Sequence, residues 1–290
     1  MKSILHIQIL ALFSFIFCLS CQKTNVDVVT LSNVNFDGLY KECNKTGRTH
    51  LELLSKSSNN IVDDDVWLTK YAKGMANCVT YTFTPGGNNA SKNIEAIVPI
   101  ECNGLYRRSI DIFDQYSVIY YGKKYDYFGV DPTLILITSP SVQEIRYALD
   151  FSKFSVSQFS SPEDVEYTNI SVSGVQIEDD TLYACISHPT YSASSSGYNA
   201  YLVAVDLCTQ TIKWITKPLT CNSNFVIYND VIFTGYGFSN EADYVYVIDK
   251  ASGNRISSIL LDKGPSYFSV IDNKLYVRTY NLDYIFQIVK

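Results

Sequence analysis

Few residues of this 290-residue chain have the type and spacing that catalysis requires. Histidine occurs at His6, His50 and His188. His6 lies in an apolar leader, so a Ser/His/Asp relay would have to use one of the other two. His50 precedes a Leu-rich strand and His188 precedes Pro189 at a loop edge, positions that suit structural histidines. Six cysteines follow Cys21, namely Cys43, Cys78, Cys102, Cys185, Cys208 and Cys221. None forms a C-x-x-C, so a zinc ribbon or thioredoxin-type site has no support, and the spacing leaves the disulfide pattern open. Cys185, between Ala184 and Ile186, reads as a small buried hydrophobe. Cys208 and Cys221 flank one expected strand, Thr211 to Leu219, and are not expected to pair. The acidic run Asp63 to Asp65 lacks the alternating oxygen ligands of a calcium loop and reads as a hairpin turn. Gly86-Gly87 has no helix behind it to cradle a phosphate. No catalytic, cofactor-binding or metal-binding residue is expected.

Aromatic chemistry is richer, with 23 tyrosines. Tyr125, Tyr127, Phe128, Tyr191, Tyr198, Tyr236 and Phe238 fall in loops that also carry Gly, Ser or Asn. Gathered on one face, they would offer flat apolar area with hydroxyl handles, a surface suited to a peptide, a protein or a glycan. Whether they gather depends on the elements that carry them.

Those elements are read from a repeat. Asp243 to Asp262, DYVYVIDKASGNRISSILLD, is strand, tight turn, strand: alternating Tyr, Val and Ile, then Asp249, Ser252, Gly253 and Asn254, then a second apolar strand. YLVAVDLCTQTIKWI repeats the phrase 43 residues earlier without a gap, placing Asp206 on Asp249, Thr209 on Ser252 and Trp214 on Ser257. A fainter copy runs through Thr138 and Ser141. A polar pair between apolar runs precedes each hairpin: Asp63/Asp64, Asp114/Gln115, Asp179/Asp180, Asn229/Asp230 and Asp272/Asn273. Strand, Asp/Asn turn, strand, loop, strand, D-x-x-[ST] turn, strand is a four-stranded antiparallel unit of β-propeller blade size. The chain is therefore expected to be all-β, a propeller of about five or six such blades. Its last unit is one strand short, and Asn25 to Leu31 is the expected closing strand. The loops joining second to third strands would share one mouth of the ring, which brings the seven aromatics together.

The leader MKSILHIQILALFSFIFCLSC has one charge, Lys2, and an apolar run too short for a confident membrane span. Its Cys18-Leu19-Ser20-Cys21 ending resembles a bacterial lipobox. That resemblance implies a signal peptide over 1–20, a single mature domain over 21–290, lipid on Cys21 and an envelope address. Gln22 resembles the residue of lipoproteins sent to the outer membrane. Two or more acyl chains anchor stably where one is marginal. Removing 1–20 takes away Lys2 and no acid, so the net charge of −6 becomes −7. Without a clustered basic stripe, that charge argues against a nucleic-acid partner.

From about Val175 onward the chain resembles the quinoprotein-like, or PQQ-repeat, propeller family. VIYNDVIFTGYG, YVYVIDKASGNRIS and YLVAVDLCTQTIKW carry the resemblance, with Trp214 where those repeats commonly place a Trp. It implies the fold. The family's enzymes are larger rings with an adjacent Cys pair and an acidic metal set, and this chain has no Cys-Cys, so no cofactor is carried over. The reading this supports is a non-catalytic, membrane-anchored platform for an envelope protein partner. The alternatives are a surface protein that binds glycans or small ligands through the aromatic face, and a quinone-dependent or hydrolytic enzyme.

Overall fold

The computed structural model describes residues 26–32, 49–61, 63–71, 77–79, 98–125, 129–154, 170–188, 192–193, 195, 197–238 and 240–290. The fold is a β-propeller of four-stranded antiparallel blades, and the described residues account for four of them. The first contains β5 (Leu105–Ile112), β6 (Ser117–Tyr125), β7 (Gly129–Thr138) and β8 (Ile145–Asp150). On its inner side β3 (Asn77–Val79) and β4 (Glu101–Cys102) both pair with β5. On its outer side β1 (Val28–Thr30) adds in parallel to β8. The second blade is β9 (Ser171–Glu178), β10 (Thr181–Ser187), β11 (Tyr201–Asp206) and β12 (Thr211–Ile215). The third is β13 (Phe225–Tyr228), β14 (Val231–Tyr236), β15 (Asp243–Asp249) and β16 (Arg255–Leu261). The fourth is β17 (Pro265–Ile271), β18 (Lys274–Thr279) and β19 (Leu282–Val289), completed by β2 (His50–Ser58) from the N-terminal part of the chain.

The turn chemistry explains the hairpins. Asp179, Asp180, Asn229, Asp272 and Asn273 all take positive φ, between 48° and 62°. Asp and Asn tolerate that region, and turns of this hand match strand twist. The D-x-x-[ST] turns form as expected: Asp206 Oδ1 accepts the Thr209 N–H at 2.8 Å and Asp249 Oδ1 accepts that of Ser252 at 2.8 Å. The Thr209 N–H is the main cause that holds the Asp206 carboxyl below its ordinary range.

Middle strands are apolar on both faces because each face meets another blade. In β10, Leu182, Ala184 and Ile186 join the core shared with the first blade, whereas Tyr183 and Cys185 join the core shared with the third. In β14 and β15, Val231, Phe233, Val245 and Val247 pack against Phe268, Leu275 and Val277 of the fourth. The core is thus a series of seams between sheets. Polar rungs cross them: Tyr116 Oη accepts the Ile177 N–H at 2.8 Å, Gln176 Nε2 donates to the Phe225 carbonyl at 2.7 Å, and Tyr228 Oη donates to Asn273 Oδ1 at 2.6 Å.

Two sequence expectations are corrected. Asn25 to Leu31 does not complete the fourth blade: β1 covers the outer edge of the first, and β2 pairs with β19 from Val289↔His50 to Leu282↔Ser58. β2 shows no legible alternation because it is an outer strand in which only Leu51 is buried. Asp63/Asp64 is not a hairpin turn either. The Asp63 carbonyl accepts the Trp67 N–H at 3.1 Å and opens α1 (Asp64–Tyr71). Acidic residues at a helix start are favoured by the helix dipole, and eight residues are too few to show a 3.6-residue period.

Candidate functional site

The loops between second and third strands carry the aromatics expected to share a mouth. Glu241 in the β14–β15 loop joins it to the β10–β11 loop: its carboxylate accepts the Ser192 N–H at 2.7 Å and the Tyr236 hydroxyl. Tyr236 is consequently a strut rather than a ligand platform, 3% exposed. Burial and Glu241 push its hydroxyl pKa far above the ordinary value. Tyr198 is 41% exposed, its N–H bonded to the Ser195 carbonyl, and Phe238 is half-buried. Tyr127, Phe128, Tyr191 and the side chain of Tyr125 lie outside the described residues, as does Cys21. Of the seven aromatics, only Tyr198 and Phe238 are described as accessible.

The two described histidines lie on different blades. His50 is exposed on β2, 3.4 Å from Glu52. His188 is buried at the end of β10, where its backbone N–H and carbonyl are both bonded by the Asn199 amide. A buried acid sits in the first blade. Asp111 accepts a hydrogen bond from the Tyr120 hydroxyl at 2.7 Å, yet burial pushes its carboxyl up to about 6, against the opposing pull of that bond and of Arg108.

The second place of interest was not legible in the sequence. α1 lies on the fourth blade, clamped by Arg278, whose side chain is 2% exposed. Arg278 Nε donates to Asp64 at 2.5 Å and its Nη2 donates to the Ile61 carbonyl at 2.7 Å. Trp67 is buried, 5.1 Å from the Tyr71 ring, and Tyr71 stacks on Tyr276 at 4.7 Å. Between helix and sheet is a cavity of ≈ 190 Å³, lined by Trp67, Lys70, Tyr71, Tyr276, Asp283 and Tyr284 among others. Asp283 Oδ1 lies 3.6 Å from Arg278 and accepts no hydrogen bond among the described residues; burial raises its carboxyl pKa, with Arg278 opposing. The signal was split between Trp67 and the Tyr276 and Asp283 pair, more than 200 residues further on, so no local spacing could reveal it.

The third is an edge. β2 is the outer strand of its sheet, and among the described residues no strand pairs beyond it. Eight of its nine residues are exposed, including Leu53 at 56% and Leu54 at 52%. Of the other outer strands, β8 carries β1 and β12 is five residues long with Trp214 and Ile215 turned into the core, whereas the seven-residue β16, with Leu260 65% exposed, also has no described strand beyond it and differs from β2 in being mostly half-buried.

No family model and no curated protein matches the chain. Among solved structures it is similar to BamB from Moraxella catarrhalis, with a TM-score of 0.30 and 12% identity over 64% of this chain and 70% of that one. It is similar to the quinohemoprotein alcohol dehydrogenase ADHIIG from Pseudomonas putida HK5, with 0.37 and 13% over 58% of this chain and 27% of that one. A europium-containing methanol dehydrogenase gives 0.39 and 8% over 68% and 42%. The chain spans less than half the length of either dehydrogenase. The propeller architecture rests on the four sheets and their registers, and likeness at this level says nothing of activity.

Proposed function

We propose that the protein is a non-catalytic, lipid-anchored envelope lipoprotein whose propeller is a platform for a protein partner, taken as an added strand on β2. The β2 edge, beyond which no described strand pairs, is the observation that supports it. A long edge strand with exposed Leu residues is an aggregation liability unless something covers it. The first blade carries the device that would do so, since β1 is an extended segment added to the outer strand β8. An extended segment of a partner would use the outward main-chain groups of β2 for affinity and Leu53 and Leu54 for side-chain contacts. The anchor is Cys21, acylated after removal of 1–20, and the outer membrane is the proposed address.

A photo-crosslinking residue at Leu54, in cells fed a labelled fatty acid, tests this. The expected result is label on wild type but not on Cys21→Ser, and one envelope protein captured from Leu54 but not from an exposed position on β16. A labelled, folded protein that captures nothing from Leu54 excludes the strand-addition platform.

A second reading has its own support in the α1 cavity. Aromatic walls beside one carboxylate, one ammonium and Asn60 and Ser57 suit a single sugar-sized polyol: ring faces stack on apolar C–H groups while hydroxyls meet the polar groups. Trp67 fluorescence in a Trp214→Phe background would report it. Saturable quenching by a monosaccharide that Asp283→Asn weakens supports the ligand reading, and a flat titration across a sugar panel removes it.

A further inference from the structure

The seam between the second and third blades contains a pair of thiols that the functions above leave unused. Cys185 sits in the middle of β10 opposite Leu202 of β11. Cys221 lies in the connection from β12 to β13, where its N–H bonds the Ala200 carbonyl at 3.2 Å, two residues from Leu202. Both chain segments are therefore registered against the same strand. The Cys185 thiol donates to the Cys221 carbonyl at 2.9 Å, and both residues are 0% exposed in the core cluster shared by the two blades. Both are thiols in this structure. Cys208, by contrast, is exposed in the β11–β12 turn.

We propose that Cys185 and Cys221 are a disulfide-forming pair that clamps this seam. The oxidant is an oxidised dithiol, a disulfide donor of the kind an oxidising compartment supplies. One thiol loses its proton to water and its sulfur attacks a donor sulfur, breaking the donor S–S bond and releasing one donor thiol. The second thiolate then attacks the mixed disulfide, forming the Cys185–Cys221 bond and releasing the other donor thiol. Two protein thiols are oxidised and one disulfide is reduced.

The same burial sets the timing. Attack requires thiolate, and desolvation pushes the Cys185 thiol well up, with the Cys221 thiol adding to the shift. Once the blades have closed, neither sulfur reaches a donor, so the bond forms while the seam is still open. After closure it is shielded from mild reductants. Closing the loop between residues 36 apart restricts the unfolded chain more than the folded one.

The test is to refold the full chain from denaturant in a glutathione redox buffer. It is then alkylated under denaturing conditions without reductant, and its peptides are mapped by mass. A Cys185–Cys221 peptide pair, two hydrogens lighter than the free thiols, is the expected product. Recovery of both as alkylated thiols, or of either joined to Cys208, overturns the proposal. The same preparation melted before and after full reduction in denaturant and refolding without oxidant tests the clamp. The oxidised form should melt higher, by on the order of 5–10 °C, and the difference should vanish in Cys221→Ala. Equal melting of oxidised and reduced wild type also overturns it. Neither readout involves β2, Cys21 or the α1 cavity, so failure here is distinct from failure of the platform reading.

Discussion

The seam between the second and third blades and the completed fourth blade are both well packed, but they are held by different means. At the seam, the partners come from adjacent repeats. The Trp214 indole N–H donates to the Lys250 carbonyl at 3.2 Å, in the turn of the next blade. Its ring occupies the space that a Cβ on Gly253 would enter, 2.5 Å from Cε3, and Gly253 has a φ of +73°. One residue thus satisfies both the turn and the neighbouring Trp. The fourth blade depends instead on partners far away in sequence: β2 on β19, and α1 on Arg278 through Asp64, 214 residues apart. Local repeats build the first kind of contact almost automatically, whereas the second requires closing very long loops, which is slow though only modestly costly at equilibrium.

The two tryptophans provide the harshest test of this difference. Trp214→Ala and Trp67→Ala each remove a buried indole and should each cost about 3–5 kcal/mol, measured by urea unfolding. Trp214→Ala should lower the single global transition. Trp67→Ala should separate an early loss of the fourth blade, seen as hydrogen exchange in β2 and β19 before the rest. Coincident exchange in both variants would mean that the ring unfolds as one unit and the comparison fails.

Buried charges sharpen the contrast. Arg278 is matched by acids, whereas Asp111, in the seam between the first and second blades, has a hydroxyl partner and a carboxyl raised to about 6. An acid whose folded pKa is raised contributes stability that is fully present below its ordinary value, near 4, and lost as pH rises through about 6. Asp111→Asn stays neutral and can still accept from Tyr120. Relative to wild type it should gain on the order of 3 kcal/mol between pH 4 and pH 7. Parallel pH–stability curves for the two proteins would mean that the carboxyl is not buried as described.

A smaller loss is expected at the turn that receives Trp214. Gly253→Ala should cost about 1–3 kcal/mol, from positive φ and from the displaced indole. Trp214→Ala should relieve the steric part, so the double variant should lose less than the sum of the single ones. Additive losses would show that the two residues do not press on each other. The smallest effect belongs to Lys56→Ala. Lys56 pairs with Asp262 across the outer rim, tying β2 to the end of the third blade, and both side chains are about half-exposed. Screened surface pairs contribute little, so its unfolding midpoint should match wild type at physiological salt. A clear drop would show that charge, rather than the β2–β19 ladder, holds the closing strand.

How much was legible follows the same line. The repeated hairpins of Asp206 and Asp249, the turns at Asp179, Asn229 and Asp272, and the doubly apolar β10 and β14 all depend on residues within one unit. Asp63/Asp64 imitated the marker because a helix start and a hairpin turn both favour Asp. Tyr236 was counted with the mouth aromatics by its loop position, and its role as a strut follows from Glu241 and the depth of the adjoining strand.

The all-β class, the four-stranded unit and the placement of its turns were determined by the sequence alone, since turn φ values and alternation are short-range properties of neighbouring residues. Tertiary structure alone decided which strand completed the fourth blade, where Trp67 and Asp283 met around a cavity, and that Cys185 lay beside Cys221. Each depends on segments brought together over tens to hundreds of residues. No local spacing records such a meeting, because the free energy that selects it comes from burying two distant surfaces against each other.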